Sequence, residues 1–241
     1  FSGGSLNTTL SSGTLARSDS FTAVTANATL GGASQGAKNA GQYAITASES
    51  GGKNALGYDV TYTSGQLTIN QADLTVTANS ATKTYDGNTS ATGTGTVGTL
   101  AGAAAGDVVN SSGSQAFLTS SAGSNKTVRA SGVTIKNSAN ADMTGNYNII
   151  YTDNLTSTIN KKDVTRGNIT AAHKAYDGNT TATISAGVIS GTVGSETLLI
   201  SGSGTFDTKN AADGKTVTVT DVTTLTKTNG TGAWGNYILT T

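Results

Sequence analysis

The feature that most constrains this chain is an internal repeat. The string ATKTYDGNTSAT at residues 81–92 recurs as AHKAYDGNTTAT at residues 172–183, with nine identical positions in twelve. The tyrosines of the two strings, Tyr85 and Tyr176, stand 176 − 85 = 91 positions apart. Self-similarity at a fixed period is the sequence signature of tandem structural units, so the chain is predicted to consist of head-to-tail copies of about 90 residues.

Other landmarks keep nearly the same spacing, between 89 and 90 positions. They are Asp73 and Asp163, Phe117 and Phe206, Lys126 and Lys215, and the Gly-Asn-Tyr strings that end at Tyr147 and Tyr237. A third copy shows only its end, since GYDVTYTSGQLTIN at 57–70 matches GNYNIIYTDNLTSTIN at 145–160.

These spacings predict three repeats. Residues 1–71 form a partial repeat without its opening strand, and residues 72–160 form a complete one. Residues 161–241 form a repeat that stops short of its closing strand. A period of about 90 residues suits a small independent domain better than one coil of a β-solenoid.

The composition and the local patterns favour β-structure. Thr and Val are frequent, Glu occurs only twice, and Pro and Cys are absent. Leu74 and Val76 alternate with Thr75 and Thr77, which is typical of a half-buried strand. Six or seven such segments per repeat, separated by Gly, Asn and Asp, predict an all-β fold of tandem immunoglobulin-like sandwiches. A β-grasp-like sheet with a short helix at 101–105 is the alternative.

The end of each repeat is predicted to be a β-hairpin. In the first repeat, alternating residues 58–62 and 67–69 flank a turn at Ser64-Gly65. In the second, residues 147–151 and 155–159 flank Asp153-Asn154.

The repeated Tyr-Asp-Gly-Asn string predicts a turn. Its residues are Tyr85, Asp86, Gly87 and Asn88 in one copy and Tyr176, Asp177, Gly178 and Asn179 in the next. Gly accepts a positive φ, and an Asp carboxylate accepts hydrogen bonds from backbone amides one or two residues on. A calcium site would need six to eight oxygen ligands, and no second acid lies nearby in sequence, so a structural turn and no metal site are expected.

The charge pattern excludes several functions. The chain has 14 basic and 14 acidic residues, scattered singly except for Lys161-Lys162, so neither nucleic acid nor a membrane surface is an expected partner. The single His173 has no counterpart in the other copy, where Thr82 stands, and no catalytic motif or cofactor site is recognisable, so no enzyme is predicted. Lys83 and Lys174 are interpreted as solvated surface groups rather than as partners in isopeptide bonds with Asn.

The Tyr-Asp-Gly strings, followed about 60 residues later by Gly-Asn-Tyr, resemble the YDG repeats of very large bacterial adhesins, including filamentous-haemagglutinin-like proteins secreted by the two-partner route. The first partial copy, with AGQYAIT at 40–46, is more similar to the related MBG repeats. The resemblance implies an extracellular protein at the bacterial surface whose repeats hold a distal binding region away from the cell and support attachment or biofilm.

The expected function is therefore that of a structural spacer in an adhesin stalk, whose partners are the neighbouring repeats of the same chain. The alternative is a module that binds a glycan or another surface, with surface or matrix polysaccharide as the partner. Trp234, the only Trp, is the candidate ligand-binding residue for that alternative, because it has no aromatic counterpart at Thr144 of the preceding repeat.

Overall fold

The computed structural model describes residues 28–49, 61–185, 187–219 and 226–240. Twenty strands are assigned in these ranges, and their helical segments are single 3₁₀ turns of three residues. The strands form several curled sheets, as in β-sandwich-type folds, which confirms the all-β prediction. None of the helical segments in the described ranges is long and apolar enough to cross a membrane.

The strands range in length from two to nine residues. In chain order they are β1 Ala28–Gly31, β2 Gly41–Glu49, β3 Gly65–Ile69, β4 Ala72–Thr77, β5 Thr82–Thr84, β6 Thr96–Val97, β7 Val108–Ser111, β8 Ser114–Phe117, β9 Gly123–Ser131, β10 Thr134–Lys136, β11 Tyr147–Thr152, β12 Asn154–Asn160, β13 Lys162–Arg166, β14 Thr170–Ala171, β15 Thr181–Ser185, β16 Ile189–Ser190, β17 Leu198–Phe206, β18 Val217–Thr218, β19 Thr226–Asn229 and β20 Tyr237–Thr240.

Period-two alternation decides which side chains enter the interior. In β4, Leu74 and Val76 are buried while Asp73, Thr75 and Thr77 are exposed. The third repeat follows the same rule, because Ala182 and Ile184 of β15 are buried between exposed hydroxyl side chains. Apolar side chains thus cover one face of these two strands, and Thr and Ser face water on the other.

The chain divides into two compact units, which are described one at a time. The first comprises residues 1–74, 99–111 and 134–150, and the second comprises residues 75–98, 112–133 and 151–241. Both units draw on more than one of the predicted repeats, and the repeat boundaries at 71/72 and 160/161 stay a prediction.

The first unit contains two antiparallel sheets. One has the order β1-β2-β3, with Gly41 opposite Ile69 and Tyr43 opposite Leu67. The other pairs β10 with β7. Ile135 and Tyr147 are its largest buried side chains besides Leu74.

The second unit contains the largest sheets. In the order β5-β12-β9-β8, β12 runs parallel to β5 and antiparallel to β9. The third repeat supplies β14-β15-β17-β18, with β19 also on β17, and the sheet β16-β13-β20. Within the latter, β13 and β20 are parallel, with Lys162 opposite Tyr237.

The predicted hairpin at the end of the second repeat is wrong. Strand β11 belongs to the sheet of order β11-β4-β6, whereas β12 lies between β5 and β9. Asp153, between the two strands, accepts two hydrogen bonds from the Arg129 guanidinium of β9, at 2.8 and 2.7 Å. This pairing fixes the point at which the chain passes from one sheet to the next.

Two further expectations have clear outcomes. In the first repeat, residues 58–60 lie outside the described residues, and β3 pairs with β2. The predicted short helix at 101–105 is a single 3₁₀ turn at Ala103–Ala105, closed by Gly106 with φ of 96°.

Strand β12 carries a buried polar group whose removal tests this fold. The Ser157 hydroxyl is 1% exposed, accepts a hydrogen bond from the Ala81 N–H at 3.0 Å and donates one to Asn154 Oδ1 at 2.8 Å. Ser157→Ala leaves the Ala81 N–H without a partner and is expected to lower the free energy of unfolding by about 1–3 kcal/mol. Urea unfolding measures this, with Ser131→Ala at an exposed position as the control. Equal effects of the two changes would contradict the register of β12.

Candidate functional site

The Tyr-Asp-Gly-Asn turn of the second repeat is organised around a lysine. Lys83 Nζ donates hydrogen bonds to Asp86 Oδ1 at 2.7 Å, to the Asn88 carbonyl at 2.7 Å and to Asn88 Oδ1 at 2.9 Å. The carboxylate also accepts the backbone N–H of Asn88 at 3.1 Å, and the Asn88 side chain accepts that of Ser90 at 2.9 Å. Gly87 supplies the positive φ, 79°, that closes the turn.

The third repeat reproduces this arrangement. Lys174 Nζ donates to Asp177 Oδ1 at 2.8 Å, to the Asn179 carbonyl at 3.0 Å and to Asn179 Oδ1 at 2.7 Å. Gly178 has φ of 77°. Because the same bonds recur with different neighbours, the motif is better written Lys-x-Tyr-Asp-Gly-Asn, and we call it the lysine turn.

The interpretation of both lysines as solvated surface groups is wrong for Lys83, whose side chain is 14% exposed. Lys174 is an exposed residue, and its side chain is 28% exposed. Each ammonium also lies 5.7 Å from the centroid of a Phe ring, Phe117 in the second repeat and Phe206 in the third. The recurrence of Lys and Tyr after 91 positions and of Phe after 89 was the signal that could have revealed this cluster.

An ion pair between the lysine and the Asp of the turn holds each cluster together. Partial burial alone would raise the pKa of Asp86, but the hydrogen bonds from Lys83 and from the Asn88 N–H bring it below its ordinary value. The Lys174 ammonium likewise lowers the pKa of Asp177. An isopeptide bond between Lys83 and Asn88 would require a neighbouring acid that stays protonated, and the hydrogen bonds that lower the pKa of Asp86 disfavour this.

The tyrosines of the two lysine turns have different surroundings. Tyr85 is 6% exposed, whereas Tyr176 is 64% exposed. A Cβ added at Gly87 would come within 3.1 Å of Val193 in the third repeat, while no atom of the described residues lies within 4 Å of the same position at Gly178. The first of these turns is therefore covered by the repeat that follows it.

Glu196 of the third repeat links the covering repeat to this turn through hydrogen bonds. Its carboxylate accepts a hydrogen bond from the Tyr85 hydroxyl at 2.6 Å and another from the Tyr237 hydroxyl at 2.5 Å. The two rings meet edge to face, with centroids 5.4 Å apart and planes at 82°. We call Tyr85, Glu196 and Tyr237 the tyrosine joint. Tyr237 also accepts the backbone N–H of Val193 at 3.0 Å.

The carboxylate changes the acidity of both phenols. The hydrogen bond to Glu196, together with burial, raises the pKa of Tyr85. Burial and Glu196 raise the pKa of Tyr237 to about 12. In the second repeat Asp107 takes the place of Glu196, since it accepts the Tyr147 hydroxyl at 2.8 Å, and burial with this bond raises the pKa of Tyr147.

The Asn of each Gly-Asn-Tyr string reaches into the preceding repeat. Asn146 Oδ1 accepts the backbone N–H of Ala40 at 2.8 Å, and Asn236 Oδ1 accepts that of Ala122 at 2.9 Å. Each Ala stands before a strand, β2 or β9, whose first residue is a Gly with φ of 153° or 157°. We call these two contacts the amide bridges.

Trp234 has a structural environment. Its indole N–H donates to the carbonyls of Leu199 at 3.2 Å and Thr228 at 3.0 Å. The Lys227 ammonium lies 5.2 Å from the ring centroid, and the side chain is half-buried. The residue opens the 3₁₀ turn Trp234–Asn236 that presents the Gly-Asn-Tyr string.

The lysine turns predict a fall in stability as the pH decreases, which we call the acid limb of the stability curve. Because the folded pKa values of Asp86 and Asp177 lie below the unfolded value, the turns stabilise the fold above about pH 4 and lose this contribution as the pH falls through the folded values. The double variant D86N/D177N should therefore show a shallower fall of melting temperature between about pH 5 and 2. Lys83→Met with Lys174→Met should flatten the same limb, and an unchanged limb in both would contradict the ion pairs.

The tyrosine joint predicts a loss of stability at alkaline pH. Because the folded pKa of Tyr237 is raised, its contribution is complete below about pH 10 and is lost as the pH rises through about 12. Among the described tyrosines, Tyr85, Tyr147 and Tyr237 should titrate late in an ultraviolet titration. In Glu196→Gln, Tyr85 and Tyr237 should titrate earlier, since the charge opposing phenolate is removed, while Tyr147 beside Asp107 should stay late. Tyr176→Phe, at an exposed ring, should leave the late steps unchanged. Late titration of all three phenols in Glu196→Gln would show that the Glu196 carboxylate is not the cause.

Comparisons with known proteins agree with this repetition. A family model described as the YDG domain matches residues 70–155 and again residues 160–241. No curated protein matches the chain, and no solved structure matches it either. The two matches together cover more than half of the sequence and contain both lysine turns and both complete Gly-Asn-Tyr strings, so the chain belongs to the YDG domain family.

Proposed function

We propose that this chain is a run of structural spacer repeats in the stalk of an extracellular bacterial adhesin of the filamentous-haemagglutinin-like, two-partner secreted type. The observation that carries the proposal is the repetition of the amide bridge. Asn146 binds Ala40 of the first repeat, and Asn236 binds Ala122 of the second, in the same geometry. A contact that recurs at each passage between repeats serves an array, because it adds every copy in the same way.

The connections between repeats support this role. One residue, Lys161, separates β12 from β13, and two residues separate β3 from β4. Such short connections leave little conformational freedom. The tyrosine joint adds a buried contact beside the connection between β12 and β13, where Tyr85 is 6% exposed and Tyr237 is 3% exposed. Repeats fixed in this way would transmit tension along the chain and would set reach by copy number.

The hydrogen bonds of three carboxylates also favour a structural function. The carboxylate of Glu196 holds two phenols, and Asp107 and Asp86 each hold one neighbouring side chain. Each of these groups is already engaged by another side chain of the chain. We therefore propose that the repeats are not catalytic and that neighbouring repeats are their main partners.

The glycan-binding alternative depends on Trp234. Its indole N–H is engaged by two carbonyls, its ring is half-buried, and Lys227 lies over one face of that ring, which disfavours a role as a sugar-stacking platform. Its position supports the turn before Asn236 and thereby the amide bridge.

Force spectroscopy on the whole chain tests the spacer role. Pulled between its ends, the chain should resist extension at low force and then lengthen in discrete steps of about 30 nm, since a repeat of about 90 residues spans roughly 3.3–3.6 Å per residue when extended. Glu196→Ala should lower the force at which the second and third repeats separate. Smooth lengthening at low force in the unaltered chain would argue against a load-bearing spacer.

A glycan array distinguishes the alternative. A spacer gives no saturable binding, and Trp234→Ala changes only stability. Micromolar binding that Trp234→Ala abolishes and that the aromatic control Tyr176→Ala leaves intact would favour the binding module over the spacer.

A further inference from the structure

A short loop of the third repeat, residues 193–196, contacts the lysine turn of the second repeat at two places. Glu196 Oε1 accepts the hydrogen bond from the Tyr85 hydroxyl at 2.6 Å. The Val193 side chain lies so close to Gly87 that a Cβ added there would come within 3.1 Å of it. We call residues 193–196 the docking loop. Both of its contacts fall on the Tyr-Asp-Gly string, the part of the turn that recurs in sequence.

The docking loop also holds the tyrosine of its own repeat. Glu196 Oε2 accepts a hydrogen bond from the Tyr237 hydroxyl, and the Val193 N–H donates to the oxygen of that hydroxyl at 3.0 Å. The carboxylate therefore divides its two oxygens between its own repeat and the preceding one.

The contact with Tyr85 is continuous with an amide bridge. The Asn236 side chain also interacts with the Tyr85 hydroxyl. The Oδ1 of Asn236 accepts the Ala122 N–H of the second repeat at 2.9 Å. Loss of the bond between Glu196 and Tyr85 is therefore expected to loosen the bond between Asn236 and Ala122.

Residues 102–107 form the corresponding loop of the second repeat. The Gly102 N–H donates to the Tyr147 hydroxyl oxygen at 3.0 Å, and Asp107 Oδ2 accepts the hydroxyl proton at 2.8 Å. These bonds repeat those that the docking loop makes within its own repeat. The loop itself is different, because it has six residues instead of four, includes the 3₁₀ turn Ala103–Ala105 and ends in the shorter acid.

The shorter acid serves one tyrosine instead of two. In the part of the chain that the structure describes, no side chain donates to Asp107 Oδ1. Asp107 is buried, whereas Glu196 is half-buried. With one methylene fewer, an Asp that binds its own tyrosine holds its other oxygen closer to its own backbone. The extra reach of Glu196 is what brings the second oxygen to the neighbouring repeat.

We propose that the docking loop determines which repeat can precede its own. A loop of the 193–196 type, ending in Glu, selects a repeat whose lysine turn presents a tyrosine hydroxyl beside a glycine without a side chain. A loop of the 102–107 type, ending in Asp, holds only its own tyrosine. The inference rests on the proposed function, since it takes neighbouring repeats as the partners, and it adds the group that is recognised.

A loop exchange in the full chain tests this selection. Residues 193–196 are replaced by Gly-Ala-Ala-Ala-Gly-Asp, the sequence of residues 102–107. Tyr237 should still titrate late, because the new Asp can hold it as Asp107 holds Tyr147, whereas Tyr85 should titrate earlier. Exchange of the Ala122 N–H should become at least about tenfold faster, since this amide reports opening between the repeats. Unchanged exchange at Ala122 would overturn the proposal.

Tyr85→Phe is the partner variant, since it removes only the hydroxyl. In the original chain it should speed exchange at Ala122 by about the same factor, and in the loop-exchanged chain it should add nothing, because the bond is already absent. Tyr176→Phe, at the exposed ring of the other lysine turn, is the matched control and should leave Ala122 unchanged in both chains. Equal acceleration by Tyr85→Phe in both chains would show that the docking loop does not recognise this tyrosine.

A pair of glycine variants separates recognition from strain within the turn. Gly87→Ala and Gly178→Ala place a Cβ at nearly the same positive φ, 79° and 77°, so the two turns are strained alike. Among the described residues, only the Cβ at position 87 meets Val193, so only Gly87→Ala should speed exchange at Ala122. Equal effects of the two variants would overturn the proposal.

These measurements report a contact between repeats, not resistance to force. A chain that gives the expected exchange rates and yet lengthens smoothly at low force would support this inference and contradict the load-bearing spacer. A chain that lengthens in steps while the loop exchange leaves Ala122 unchanged would contradict this inference alone.

Discussion

The buried tyrosine of the Gly-Asn-Tyr string is the interaction on which the repeats depend. Its ring is buried, and its hydroxyl must find partners, since an unpaired buried hydroxyl is costly. Tyr147 donates to Asp107 and accepts from the Gly102 N–H, and Tyr237 makes the same two kinds of bond with Glu196 and Val193. A chain with only 13 aromatic residues thus anchors its second and third repeats with one ring and a carboxylate each.

The same string also carries the connection between repeats. Its Asn, one residue before the ring, points to the preceding repeat in both copies. Because the Tyr and the Asn are adjacent, the position of the amide bridge is set by the packing of the ring. In the third repeat Glu196 adds a second tie, since one of its oxygens serves Tyr237 and the other reaches Tyr85. The packing inside the third repeat and its contacts with the second repeat are therefore coupled through the side chains of Asn236, Tyr237 and Glu196.

How much the sequence predicted depends on the kind of information involved. Periodicity predicted the β-structure and the inward faces of strands such as β4, because side-chain direction follows from position along the strand. It did not predict strand partners, since a face does not specify a neighbour, and so β11 and β12 were joined wrongly as a hairpin. The parallel pairing of β13 with β20 was not predicted, for the same reason.

At the candidate site, the turn residues were identified, but their organising cation was not. Lys83 looks isolated in sequence, and only the fold brings it to three oxygens and the Phe117 ring. Glu196 was missed because its counterpart in the second repeat, Asp107, stands at a different spacing from the tyrosine that it binds. Trp234 drew attention because it is unique, but its neighbours give it a structural place.

The two lysine turns together separate local from tertiary causes. Their hydrogen bonds agree within 0.3 Å although one tyrosine is 6% exposed and the other 64%. Cover by a following repeat is therefore not needed to shape the turn, which follows from Lys, Asp, Gly and Asn at fixed spacing. The turn is a preformed surface, and the tyrosine joint uses it.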